Sequence, residues 1–190
     1  MIRTSISILT LLCALAGASH AAEYNIATLT CGKYQNEVLA APVGSGGPDP
    51  INTVMWLFGY SVANSGAHVM YGDALAGFGF ALDAECKNNP SESLLKAIAA
   101  VKLDTKNPMD LNSVECATWE ARHLDMAKSD AESANTIMMW LFGFAVAKSS
   151  SHIYDSNGLH AFSTAFLADC HLNPSRNLFD ELSAMKIPKT

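Results

Sequence analysis

Apolar residues recur along the chain with the spacing of helices, and the same pattern occurs twice. In the first half, one helical face is formed by Ile51, Val54, Met55, Phe58 and Val62. In the second half, a corresponding face is formed by Ile137, Met138, Leu141, Phe142 and Ala145. Each face predicts one long helix with an apolar side.

The sequence inside these two helices is itself repeated. The segment Trp56-Leu-Phe-Gly-Tyr60 returns as Trp140-Leu-Phe-Gly-Phe144, an offset of 84 residues. Solenoid repeats recur every 20 to 50 residues or so, so this longer period indicates a duplicated small domain. We expect one unit at residues 22–103 and a second at 114–190, joined by a polar, proline-containing linker at 104–113.

Capping residues predict where the helices of each unit begin. Asp49 followed by Pro50 is typical of an N-cap with proline at the first helical position, and Ser129 to Glu132 has the spacing of a capping box. Asn89-Pro90 and Asn173-Pro174 predict the start of the last helix in each unit. The apolar positions of these last helices are Leu94, Leu95, Ile98 and Val101, then Phe179, Leu182 and Met185.

Two further helices complete each unit. A short one ends at the second cysteine, and its apolar positions are Leu75, Phe78 and Leu82, then Leu159, Phe162 and Phe166. Gly72, Gly77 and Gly79 weaken the first copy by about 1 kcal/mol each where they are interior. The other helix begins at the first cysteine and covers Cys31–Leu39 or Cys116–Leu124, with Tyr34 and Trp119 three positions later. Residues 42–48 form a flexible loop, and no strong β-hairpin signal occurs. The predicted fold is all-α, with about four helices in each of two tandem units.

The first 21 residues have the features of a cleavable signal peptide. Arg3 supplies the positive charge, residues 8–16 an apolar core too short to span a bilayer, and Ser19-His20-Ala21 a cleavage site. Cys13 raises lipoprotein processing as an alternative, but the residues before it form a poor lipobox. We expect an exported, periplasmic protein.

The mature chain would carry 18 acidic and 11 basic residues, a net charge of −7. An acidic chain without a cluster of lysine and arginine is a poor partner for nucleic acid or an anionic membrane. Neither is expected as a partner.

Four cysteines remain after export, and four cysteines allow three disulfide connectivities. The repeat places Cys31 opposite Cys116 and Cys86 opposite Cys170, which predicts Cys31–Cys86 and Cys116–Cys170. A zinc site is the other interpretation, but the chain has no C-x-x-C pair and an exported protein meets an oxidising compartment.

The order of these features resembles that of the HdeA/HdeB family of periplasmic acid-stress chaperones. The matching positions are Cys31, Tyr34, Gly59, Tyr60, Cys86, Asn89 and Pro90, then Cys116, Trp119, Gly143, Phe144, Cys170, Asn173 and Pro174. The resemblance implies a disulfide-bonded helical subunit that dimerises near neutral pH and holds unfolding clients on apolar surface in acid. Here two units are fused, so they are expected to pack as a pseudo-dimer, and fusion opposes their dissociation.

A second resemblance points to a different role. Small exported helical proteins with disulfides and a Gly-Tyr helix also occur among immunity proteins that neutralise secreted effectors in the periplasm. This resemblance implies one specific effector as the partner instead of many unfolded clients.

Catalytic patterns are weak. His68 and His152 occupy equivalent positions, but their nearest acidic residues, Asp73 and Asp155, do not align with each other. Lone histidines of this kind usually pack or cap a helix. No G-x-S-x-G motif occurs, and Gly44-Ser-Gly-Gly47 lacks the Lys-Ser/Thr of a phosphate-binding loop. We expect no enzyme activity, metal site or cofactor.

The repeated helices carry the residues that we single out as a surface for clients, for a partner or between the units. They are Trp56, Phe58, Tyr60, Trp140, Phe142 and Phe144. Aromatic residues at helical spacing are most often core. If the two units part in acid, these side chains would become the exposed apolar surface.

Overall fold

The computed structural model describes residues 23–42, 49–70, 74–102 and 108–187. Several predicted features lie outside the described residues: the signal peptide at 1–21, residues 43–48 of the loop, Gly72, Asp73 and residues 104–107 of the linker.

The first half of the described chain contains a short strand, four helices and a second short strand. They are β1 (Glu23–Asn25), α1 (Cys31–Lys33) continued by a π-helical turn at Tyr34–Leu39, α2 (Pro50–Asn64), β2 (Val69–Met70), α3 (Leu75–Asn88) and α4 (Leu94–Ala100).

The second half repeats this order. Its elements are β3 (Met109–Asp110), a 3-10 turn (Leu111–Ser113), α5 (Cys116–Ser129), α6 (Ala131–Lys148), β4 (Ile153–Asp155), α7 (Gly158–Leu172) and α8 (Leu178–Ala184). The all-α fold class predicted from the sequence is confirmed, since the strands have only two or three residues each. In the segment expected to be a linker, residues 109–113 form β3 and the 3-10 turn, and Leu111 is fully buried.

Helices α2 and α6 pack against each other at the centre of the molecule. The residues of α2 from Trp56 to Ala63 are all buried, so this part of the helix has no solvent-exposed side. The prediction of one apolar face is therefore wrong at its start: Ile51 is 57% exposed, and Val54 and Met55 are only half-buried. From Trp56 to Ala63 the helix is enclosed on all sides, so its buried residues do not follow a single apolar face.

The helix starts are partly as predicted. The Asp49 carboxylate accepts hydrogen bonds from the N–H groups of Ile51 and Asn52, which confirms it as the N-cap of α2. The predicted cap Ser129 is wrong: Asp130 caps α6 by accepting from the Ser133 N–H, and Ser129 is the last residue of α5.

The Asn-Pro segments do not start the last helices, which corrects that prediction. Ser93 caps α4 and Asn177 caps α8, three to four residues further along. Pro90 and Pro174 lie in turns whose carbonyl groups accept from Gly32 and Ala117 at the start of the first helix of each unit. The turns thus connect the second cysteine back to the first.

The glycines of α3 do not prevent the helix from forming. The structure has a continuous helix from Leu75 to Asn88, with Phe78 and Leu82 in the core. A Cβ on Gly79 would lie 3.4 Å from the Val54 side chain, whereas a Cβ on Gly77 would meet no atom within 4 Å. Tertiary packing outweighs the propensity cost that the sequence predicts.

The four strands form two antiparallel pairs, and each pair joins the two halves. Strand β1 pairs with β4, and β2 pairs with β3. The Ile26 N–H donates to the His152 carbonyl and the Leu111 N–H donates to the His68 carbonyl, both at 2.9 Å. The strand that precedes the first cysteine of each half therefore pairs with a strand of the other half.

Both disulfides have the pairing that the repeat predicts. Cys31 is bonded to Cys86 and Cys116 to Cys170, with Cα separations of 4.8 and 4.9 Å. All four cysteines are fully buried. Each bond closes a loop of 55 or 54 residues within one half. In the chain-entropy description a loop of this length stabilises the fold by about 4 kcal/mol.

Candidate functional site

The candidate site is the contact between α2 and α6, which we call the seam. It consists of Trp56, Phe58, Gly59 and Tyr60 of α2 and Trp140, Phe142, Gly143 and Phe144 of α6. The six aromatic residues singled out from the sequence are all in it, and each is at most 3% exposed. In this structure they form core and present no surface to a client.

Two glycines set how closely the helices approach. A Cβ on Gly59 would overlap the carbonyl oxygen of Trp140, and a Cβ on Gly143 would overlap the carbonyl oxygen of Trp56. The two contacts are reciprocal, because each glycine faces the backbone of the tryptophan in the other helix. No larger residue fits at either position without moving the helices apart.

Ring contacts connect each tryptophan to both halves. Trp56 stacks on Tyr60 of its own helix and meets Tyr154 edge-on, with ring centroids 5.3 Å apart in both cases. Trp140 stacks on Phe144 at 5.4 Å and meets Phe58 edge-on at 6.3 Å. Each indole thus packs against an aromatic ring of the opposite half.

Both seam tryptophans have buried indole N–H groups without a hydrogen-bond acceptor among the described residues. An unpaired buried donor costs free energy relative to its hydrated state, roughly 1–3 kcal/mol for a polar group. This cost is recovered when the seam opens to water. In the closed state, burial of the aromatic side chains therefore stabilises the seam, while the two unpaired indole N–H groups destabilise it.

The histidines predicted at equivalent positions lie at the two strand pairs, where the halves cross. Tyr60 and His152 are joined by a hydrogen bond of 2.5 Å between Oη and Nδ1. At the equivalent position, Phe144 has no hydroxyl, and His68 instead lies with Nε2 3.8 Å from Oδ1 of Asp110. His68 also packs edge-on against Phe179.

Burial changes the ionisation of the phenols around the seam. It raises the pKa of Tyr60 to about 12 and also raises the pKa of Tyr154. Tyr60 therefore stays protonated at all physiological pH values, and its O–H must find an acceptor. The nearest partner of this hydroxyl is Nδ1 of His152, which accepts the O–H in the neutral tautomer that carries its hydrogen on Nε2.

A cleft with a volume of about 400 Å³ opens beside the seam in the second half. It lies between β4, the start of α7 and residues 185–187, and Phe142 of the seam forms part of its wall. Its larger apolar residues are Phe142, Ile153, Phe162, Met185 and Ile187. Asp155 and Lys186 contribute the charged groups of the lining.

The structure does not assemble a catalytic group from the serine and histidine residues near position 150. The Ser149 hydroxyl donates to the Val146 carbonyl at 2.7 Å, as a helix-end serine does, and His152 is bonded to Tyr60. Within the described ranges, no group of three or more histidine, cysteine, aspartate or glutamate residues could hold a metal ion. None of the described helices is long and apolar enough to cross a membrane.

The comparison with protein families gives one match, to the HdeA/HdeB family at residues 95–180. The match covers α5, α6 and α7 completely and includes parts of α4 and α8. No curated protein and no solved structure matches the chain.

The HdeA/HdeB family is a periplasmic family of acid-stress chaperones and not a family of enzymes. Its match includes one side of the seam, with Trp140, Phe142, Gly143 and Phe144. The other side, on α2, lies before the matched residues. The family resemblance noted from the sequence is therefore confirmed for the second half.

Sequence reasoning missed two parts of the site. The close approach at Gly59 and Gly143 was visible only as a repeated glycine, which could equally have been tolerated in a helix. Tyr154 enters the seam from β4, and no local pattern places it beside Trp56. The repeat of Trp-Leu-Phe-Gly was the one signal that could have identified both glycines.

Proposed function

We propose that this chain is an exported, periplasmic, non-enzymatic protein that holds unfolding client proteins in acid, and that residues 1–21 are its signal peptide. The family match at residues 95–180 carries the proposal. The clients would be acid-stressed periplasmic proteins, bound through the aromatic residues of the seam once the two helices separate.

We also propose that residues 22–103 and 114–190 are two copies of one unit packed as a pseudo-dimer. Three reciprocal features support this arrangement: the two equivalent disulfides, the exchange of strands between the halves, and the glycine-to-tryptophan contacts across the seam. The covalent connection keeps the halves close after they separate, so the seam can close again when the pH rises.

The charge of the chain supplies a driving force for opening. The mature chain would change from a net charge of −7 to about +16 when its carboxylates and five histidines are protonated. Self-repulsion of that size opposes a compact state. The seam is the part of the molecule where separation would expose the largest aromatic residues, including Trp56 and Trp140, which are fully buried when it is closed.

The function is tested by the aggregation of a model client, measured by light scattering at about pH 2.5 and at pH 7. We expect suppression in acid only. The variant Gly59→Ala, which forces the seam apart, should suppress aggregation at a less acidic pH than the wild type. Gly77→Ala, whose new methyl group meets no atom, is the matched control and should behave as the wild type.

Suppression at neither pH would contradict the holdase function. An immunity or inhibitor protein would instead form a tight one-to-one complex with one partner at neutral pH and would leave generic clients unprotected in acid. The same assay, together with a pull-down at pH 7, therefore separates the two functions.

A further inference from the structure

The two places where strands cross between the halves have the same backbone but different side chains. The first joint is the β1–β4 pair, with His152, Tyr60 and Asn25. The second joint is the β2–β3 pair, with His68 and Asp110. Asn25 and Asp110 occupy equivalent positions, since each accepts a hydrogen bond from the N–H two residues later.

We propose that protonation of the histidines loosens the first joint and leaves the second joint closed, so that the chain opens from the β1 side. The difference comes from the partner of each imidazole. His152 is bonded to a neutral phenol, and His68 faces a carboxylate.

At the first joint, a proton on His152 removes the acceptor of a buried hydroxyl. Nδ1 of His152 lies 2.5 Å from the Tyr60 hydroxyl oxygen. We assign the neutral tautomer with its hydrogen on Nε2, because Nδ1 then accepts the Tyr60 O–H. When Nδ1 carries a hydrogen, it donates to the Tyr60 oxygen and the bond reverses, so the Tyr60 hydrogen loses its acceptor. Tyr60 is 1% exposed, and water does not reach its side chain without local opening. The cost of an unpaired buried donor therefore falls on this joint.

At the second joint, the same proton creates an attraction. His68 Nε2 lies 3.8 Å from an Asp110 oxygen, and both side chains are 47% exposed, so a charged imidazole gains a partner and stays hydrated. Phe144 replaces Tyr60 at the equivalent position and has no hydroxyl to leave unpaired. Protonation therefore carries no comparable cost here.

Other charged groups near the joints do not reverse the difference between the two histidines at pH values where the carboxylates are still ionised. At the first joint, the charged residues of the strands are Glu23 and Asp155, which lie opposite each other at the far end of the pair. Among the described residues, no carboxylate lies within 4 Å of the His152 ring nitrogens. At the second joint, Lys148 lies over the Phe179 ring, and that ring packs edge-on against His68.

The test is amide hydrogen exchange of the full mature chain at about pH 7.5 and about pH 5.5, corrected for the intrinsic rates. The reporters are the Ile26 N–H, which donates to the His152 carbonyl, and the Leu111 N–H, which donates to the His68 carbonyl. We expect the protection of Ile26 to fall about five- to tenfold on acidification and that of Leu111 to change less than about twofold.

The variant Tyr60→Phe makes the first joint resemble the second, with a ring that already occurs at position 144. Its Ile26 protection should change less than about twofold between the two pH values. Asp110→Asn is the control, since it alters the second joint and should leave the response of Ile26 as in the wild type. Equal loss of protection at both joints, no loss at Ile26, or a full response in Tyr60→Phe would each overturn the inference. Because the readout is amide protection, its failure is distinguishable from failure of client binding.

Discussion

Gly59 lies against the carbonyl group of Trp140 across the seam, and a Cβ at this position would come within 2.8 Å of the carbonyl carbon. Gly143 has the same relation to Trp56. Because both opposing groups are backbone in the middle of a helix, neither can move aside alone. The distance between α2 and α6 therefore depends on glycine, which has no side chain, at both positions.

The first prediction is that Gly59→Ala and Gly143→Ala each lower the free energy of unfolding by about 3 kcal/mol. This is the upper end of the usual cost of overpacking, and it applies because the opposing atoms are backbone. Gly77→Ala, on an exposed side of α3, should raise it by up to about 1 kcal/mol because alanine is the better helix former. Urea unfolding at neutral pH measures both. Equal effects at positions 59 and 77 would show that the seam is not closely packed.

The second prediction concerns a carboxylate buried only in the second half. Glu181 is 1% exposed and accepts a 2.8 Å hydrogen bond from Arg176, whereas Ala97 stands at the equivalent position of α4. Arg176→Ala leaves that charge unpaired and should destabilise the fold by about 3 kcal/mol, the lower end for such pairs because the Arg176 side chain is 41% exposed.

The control for Arg176→Ala is Lys128→Ala, which removes an exposed ion pair with Asp125. That change should cost less than about 1 kcal/mol. Thermal unfolding of the two variants side by side gives the comparison. A loss of similar size in both would mean that the burial of Glu181 does not matter.

The third prediction uses a residue with left-handed backbone geometry. Ser150 has φ 60°, and the equivalent residue of the first half is Gly66 with φ 79°. Ser150→Gly should stabilise the protein by up to about 1 kcal/mol, because glycine adopts this geometry without steric cost. Gly66→Ser should destabilise it by a similar amount, since nothing lies within 4 Å of its Cβ position and only the backbone is affected. Opposite signs in thermal unfolding support the equivalence of the two turns, and equal signs contradict it.

The fourth prediction is a pH dependence that arises outside the seam. Burial lowers the pKa of His123, which stacks on Trp119. The folded state then favours the neutral imidazole, so stability is fully present above the ordinary histidine pKa of about 6.5 and is lost as the pH falls from there towards the lowered value. His123→Gln should reduce the loss of stability between about pH 7 and pH 5, measured by urea unfolding. An unchanged slope would mean that His123 does not contribute.

Local sequence signals predicted the helices well and their ends less well. Asp49 before Pro50 left only one position for a cap, and the structure agrees. At the start of α6, both Ser129 and Asp130 are good caps, and Asp130 is selected because α5 continues through Ser129. The Asn-Pro turns were misinterpreted because the same residue types serve turns and caps.

The strand pairs between the halves could not be predicted. Strands of two or three residues have no recognisable alternation of apolar and polar residues. In both pairs, the partner strand lies in the other half and more than 30 residues away along the chain. The bond between Tyr60 and His152 depends on that crossing. The sequence repeat predicted the disulfides because it constrained which cysteines are equivalent, and that constraint does not depend on local structure.

The most direct measurement of seam opening is the fluorescence of Trp56 and Trp140 in a Trp119→Phe variant, recorded from pH 7 to pH 2 with and without acrylamide. Both indoles are at most 1% exposed in the closed fold. We predict a red shift of the emission and greater access of the quencher in acid, reversed on return to pH 7. Emission and quenching that stay unchanged down to pH 2 would contradict the opening of the seam in acid.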